Sequence, residues 1–84
     1  MDASQPYRLD PAVALRPEPF GALAYHYGTR RLVFLRARDL VELVEDLENH
    51  PSADAALARV PQPRREPMRR ALASLETSGI VSAR

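Results

Sequence analysis

The sequence predicts one α+β domain in which a three-stranded antiparallel sheet is followed by three helices. Two observations carry this reading. Apolar residues alternate with a period of two between Tyr7 and Leu35, broken by proline and glycine. From Arg38 onward the period changes to that of a helix. Runs of strands followed by runs of helices argue for the α+β class.

Residues 1–6 are polar and end in Pro6, so a flexible terminus is expected there, ahead of a single domain over residues 7–84. Val13 and Leu15 alternate with Ala12, Ala14 and Arg16, which makes the first strand. Pro17-Glu18-Pro19-Phe20-Gly21 follows as a turn, because two prolines cannot both sit in a central ladder. Leu23, Tyr25 and Tyr27 alternate through a second strand. Gly28-Thr29 then reads as a two-residue hairpin link with glycine at positive φ. Arg31 to Leu35 form the third strand.

Leu40, Val41, Leu43, Val44 and Leu47 mark one stripe of a first helix, with Glu42, Glu45 and Asp46 on its other face. Asp39 near its start suits the helix dipole, and Asn49-His50-Pro51 ends it. Ser52 is placed to cap a short alanine-rich helix running to about Arg59. A third helix is expected from about Glu66 to Ser78, with Pro67 in its first turn. Gly79 fits the left-handed position after it, and Ile80 supplies the apolar partner of a Schellman ending.

Composition narrows the function classes. In 84 residues the core is modest, which leaves little room for an enclosed catalytic cavity. Cysteine is absent, so thiolate metal sites, iron–sulfur ligation and cysteine nucleophiles are excluded, and the lack of disulfides in so small a domain points to the cytoplasm. No stretch has the length or apolarity of a signal peptide or membrane span. His26 and His50 are the only imidazoles, and neither has a second ligand at metal spacing. No serine stands in a nucleophile elbow, and the three glycines are too scattered to cradle phosphate. No enzyme, cofactor or metal is expected.

Binding is better supported. The third strand, Arg31-Leu32-Val33-Phe34-Leu35, carries no proline and ends a meander, so its outer edge is open to a foreign strand. All twelve basic residues are arginine. Eight of them form two groups, Arg30, Arg31, Arg36 and Arg38, then Arg64, Arg65, Arg69 and Arg70. If the third helix lies beside the third strand, the two groups wall a groove suited to an acidic guest. Met68, Leu72 and Leu75 would then form its apolar floor; the alternative, favoured for Leu72 and Leu75, is that they only fill the core.

The run LRPEPFGALAYHYGTRRLVFL, the acidic-faced helix RDLVELVEDLENHPSADAAL and the closing RRALASLETSGIV together resemble the mycofactocin precursor-peptide chaperones. These are similar in turn to the PqqD-like precursor-peptide recognition elements. The resemblance spans about Tyr7 to Val81, and its specific part is Pro19 to Leu32. It implies a winged-helix-like fold in which a leader peptide adds a strand beside the third strand, in a groove closed by the third helix. Carried onto this chain, the peptide-binding residues are Arg31, Leu32, Val33, Phe34, Leu35, Met68, Arg69, Leu72, Leu75 and Glu76. The implied partners are the mycofactocin precursor peptide and its radical S-adenosylmethionine maturase.

Three other readings compete. A winged helix that binds DNA would use Arg64, Arg65, Arg69 and Arg70 on phosphates, but the net charge of +1, the acidic first helix and the absence of lysine oppose it. A scaffold subunit would stabilise its enzyme without touching the peptide. An open edge is also able to pair with a second copy of the chain, giving a homodimer.

Overall fold

A computed structural model describes residues 1–84 and gives an α+β fold with three helices, a three-stranded antiparallel sheet and a separate strand pair. The three-stranded sheet runs β2 (Val13–Glu18), β3 (Gly21–His26) and β4 (Leu32–Leu35), in that order. The pair joins β1 (Tyr7–Leu9) to β5 (Val81–Ala83). Between the sheet and β5 lie α1 (Arg38–Asp46), a single 3-10 turn over Leu47–Asn49, α2 (Ala53–Leu57) and α3 (Gln62–Thr77).

The strand pair is absent from the sequence reading. Each partner has only three residues, and their register (Tyr7 with Ala83, Leu9 with Val81) exists only once the helices have brought the chain's ends together. Asp10 continues the ladder by donating its N–H to the Ile80 carbonyl at 2.9 Å. The opening six residues, read as a frayed end, lie against the fold. The carbonyls of Ala3 and Gln5 accept from the Asp54 and Ala53 N–H groups, so this segment supplies acceptors for the first turn of α2, and Ala3 is buried.

The core lies between the inner face of the sheet and the helices. Ala22, Ala24 and Leu35 face inward from the sheet; Leu40, Leu43, Val44 and Leu47 meet them from α1 and its 3-10 extension. Met68, Leu72 and Leu75 enter from α3, and Tyr7, Ile80 and Val81 close the end beside the strand pair. Burial holds the Tyr7 phenol above its ordinary pKa, and the neighbouring Glu76 carboxylate acts in the same direction.

Local signals are realised where they are local. The Ser52 hydroxyl accepts the Ala55 N–H at 3.0 Å as the N-cap of α2. At the end of α3 the Ile80 N–H reaches the Leu75 carbonyl and the Gly79 N–H reaches Glu76, with Gly79 at φ 81°, a full Schellman ending. The turn expected over Pro17–Gly21 shrinks to Pro19-Phe20, because β2 runs on through Pro17 and Glu18 to pair with Ala22 and Gly21; two helix boundaries differ as well. α2 stops at Leu57, where the Arg65 guanidinium takes the carbonyls of Ala58 and Val60. α3 begins a turn early, at Gln62, with Pro63 in its first turn, so Pro67 falls inside the helix. Pro67 has no N–H for the Pro63 carbonyl, and the start held by Pro63 tolerates that one missing bond.

The β3–β4 connection also differs. Tyr27–Arg30 make a four-residue loop, closed by the His26 N–H on the Arg31 carbonyl and the Arg30 N–H on the His26 carbonyl. Arg30 takes the left-handed conformation at φ 60°, not Gly28. The His26 ring organises the loop, with Nδ1 accepting from the Gly28 and Thr29 N–H groups at 3.0 and 3.1 Å.

One glycine is demanded by geometry. Gly21 opens β3 at φ 147°, and a Cβ there would lie 2.1 Å from the Leu35 carbonyl oxygen. That contact sets how closely β4 approaches β3. Gly21→Ala is expected to destabilise the fold by about 2 kcal/mol or more, whereas Gly28→Ala meets only the movable His26 ring and costs less. Denaturant unfolding of the two variants measures the difference.

Candidate functional site

The candidate site is the outer edge of β4. Its parity follows from β3. The His26 N–H bonds to Arg31, and the Tyr27 N–H bonds to Ala12. Alternation then pairs Ala24 with Val33 and Ala22 with Leu35 through hydrogen bonds, while Tyr25 and Leu23 bond toward β2. The main-chain groups of Leu32 and Phe34 therefore point away from β3. β4 ends the sheet, and no strand covers that side. Two N–H and two C=O groups stand free to pair.

The inner and outer surfaces of this edge differ. Leu35 is fully buried and Val33 packs partly against the core, so the strand is anchored from below. Leu32 and Phe34 point to the outside and are 54% and 50% exposed. Around them the outer face of the sheet is also apolar. Phe20 meets Phe34 edge-on with centroids 5.9 Å apart, and Tyr25 meets Tyr27 likewise at 5.1 Å. A shallow depression of about 370 Å³ opens there, lined by Leu15, Leu23, Tyr25, Tyr27 and Leu32 among others. The solvent face of an antiparallel sheet is ordinarily polar. Sequence reasoning missed this face, although the unbroken apolar run Leu32-Val33-Phe34-Leu35 signals a strand apolar on both sides.

The structure separates the two arginine groups. Arg30, Arg31, Arg36 and Arg38 flank β4, are exposed, and form no ion pair. The Arg36 guanidinium lies over the Phe34 ring, 5.1 Å from its centroid. Three members of the second group are spent inside the fold. Arg64 grips Asp39 with two hydrogen bonds of 2.9 and 3.2 Å, tying α3 to α1. Arg65 holds the end of α2, and Arg69 bridges Asp54 and Glu66. Only Arg70 of that group lacks such a role.

The residues named from the sequence are thus only partly brought together. Arg31 to Leu35 lie at the open edge, with Arg31 just before the strand rather than in it. Met68, Leu72 and Leu75 are 3%, 0% and 5% exposed and belong to the core, so they do not floor an open groove. Glu76 sits with the amino terminus, 3.5 Å from the Met1 nitrogen. Arg69 faces the cleft between α2 and α3, the largest hollow in the molecule at about 440 Å³, whose lining is mostly polar and spanned by its own ion pair. β4 packs against β3 and α1, while α3 packs against α1, α2 and β5. The expected basic groove between β4 and α3 is replaced by a basic rim around β4 alone.

What the fold and this edge define is a small α+β domain with an open, proline-free edge strand. The chain belongs to the peptide chaperone MftB family, whose model matches residues 6–82. It is 46% identical over 82 residues to the peptide chaperone MftB of Mycolicibacterium smegmatis, covering 95% of this chain and 80% of that protein. It is 49% identical over 55 residues to the proteins of the same name from Mycobacterium tuberculosis and Mycobacterium ulcerans, covering 66% of this chain and half of each of them. No solved structure matches it. No helix is long and apolar enough to cross a membrane.

The Asp39–Arg64 pair gives a pH prediction. The Arg64 hydrogen bond holds the Asp39 carboxyl below its ordinary value of 3.8. A depressed carboxylate contributes stability that is complete above the unfolded value and is lost as pH falls through the folded one. Asp39→Asn should therefore lower the unfolding midpoint near neutral pH by a constant amount, and that difference should vanish in strong acid. Thermal melts of both proteins across pH test it.

Proposed function

We propose that this chain captures the leader region of a ribosomally made precursor peptide, the mycofactocin precursor, by pairing it with the open edge of β4. It then presents that peptide to a radical S-adenosylmethionine maturase. The observation that carries the reading is the unpaired main chain of Leu32 and Phe34 on a strand that Leu35 fixes to the core. Membership of a peptide chaperone family supports the same role.

The energetics suit a carrier. Four main-chain hydrogen bonds contribute about 0.5–1.5 kcal/mol each. Ordering a disordered guest and losing its free motion offset much of that, so affinity needs side-chain contacts as well. The free arginines around β4 speed the encounter with an acidic guest. The chain itself supplies no chemistry to the peptide in this scheme; it fixes an extended conformation and leaves the remainder accessible to the enzyme.

Two predictions follow from the main-chain parity and the separation of the arginines. Phe34→Pro removes an outward N–H without touching the ladder to β3, and it should abolish precursor binding with the fold retained. Val33→Pro removes an inward N–H and should unfold the sheet instead. Calorimetric titration with synthetic precursor, beside circular dichroism, distinguishes them; full affinity in Phe34→Pro would refute edge pairing. Arg36→Glu should slow association with the precursor several-fold at low salt and progressively less as salt rises, whereas Arg69→Glu should mainly lower stability. Stopped-flow binding and thermal melts read these two effects.

A further inference from the structure

We propose that the apolar outer face beside β4 reads the sequence of the captured strand, selecting a guest with two apolar side chains two residues apart and carboxylates flanking them. This deepens the edge-pairing reading and rests on it. The argument starts from parity. The residues that offer free main-chain groups, Leu32 and Phe34, are the same two whose side chains stand on the outside. A strand added at that edge places its own outward side chains directly beside them, about 4.5–5.5 Å away between Cβ atoms. Residues two apart in the guest share that face.

The local chemistry is specific. One outward guest residue would lie beside Leu32, on the side away from Tyr25 and the shallow depression, and would cover the exposed flank of that leucine. The other would lie beside Phe34, which Phe20 supports edge-on. Polar side chains there would leave Leu32 and Phe34 half in water, so apolar ones gain most. On the inner side, Leu35, Met68, Leu72 and Leu75 are already buried and offer nothing to discriminate. Arg30 and Arg31 before the strand, and Arg36 and Arg38 after it, lack acidic partners and fit carboxylates at either end of the guest. Acidic, apolar-alternating strand is the occupant that satisfies both the charge and the exposed surface.

The test uses the full chain and two synthetic acidic peptides of identical composition. One has two leucines separated by one residue, and the other has them adjacent, so that they fall on opposite faces of a strand. The alternating peptide is expected to bind about tenfold more tightly by calorimetry. The doubly substituted Leu32→Ser, Phe34→Ser chain, which changes only exposed side chains, should lose that preference while the residue 32 and 34 amides still shift with peptide in nuclear magnetic resonance spectra. Equal affinity for both peptides, or a preference that survives the double substitution, overturns the proposal. Binding of the natural precursor that shifts those amides yet ignores the double substitution leaves edge pairing standing and removes the outer-face reading alone. If no peptide shifts those amides, both fail. A concentration-dependent dimer in sedimentation that the double substitution abolishes would assign the face to a second copy and also overturn the proposal.

Discussion

A strand bonded along one side only leaves half of its main-chain groups in water; β4 is such a strand, and unlike β2 at the other edge of its sheet it carries no proline. Its position is set from two directions. Gly21 lets β3 approach within a distance that no side chain would permit, and Leu35 plants the strand's end in the core. Because β4 cannot slide without losing both contacts, the groups of Leu32 and Phe34 are fixed in space before any guest arrives. Preorganisation of this kind lowers the cost of binding, since the entropy of the acceptor strand has been lost already on folding.

The remaining architecture serves that placement. α1 follows β4 after two residues and buries Leu40, Leu43 and Val44 beneath the sheet. α3 locks α1 through Arg64 and Asp39 and fills the core through Met68, Leu72 and Leu75. β1 and β5 close the two ends of the chain on one another, and the opening residues pin α2. A domain of this size has little stability to spare, and three of the four arginines around α3 act as struts. The four around β4 form no ion pair, and that asymmetry leaves an uncommitted basic surface beside the open strand.

Local features were legible in the sequence because their causes are local. The stripe Leu40, Leu43, Val44, the Ser52 cap and the Gly79 ending each need only a few neighbouring residues. The strand alternation around Leu15, Leu23 and Val33 was legible for the same reason, as was the end position of Arg31 to Leu35 in a meander. What could not be read was anything decided by partners far along the chain. Tyr7–Leu9 and Val81–Ala83 are too short to announce themselves as strands. Pro67 looked like a first-turn residue because its helix begins earlier than the apolar pattern does.

The site divides in the same way. By itself the sequence placed Arg31 to Leu35 at the proline-free end of a meander, made every basic side chain an arginine with eight of them in two groups, and offered no metal-ligand or nucleophile pattern beside them. Only the tertiary structure decided which arginines are free, since Asp39 and Asp54 lie 25 and 15 residues from the guanidiniums they bind. It also decided that Met68, Leu72 and Leu75 face inward, and that Leu32, Phe34, Tyr25 and Tyr27 gather on one exposed surface. Periodicity tells which residues share a face, but which face is covered depends on what packs against it.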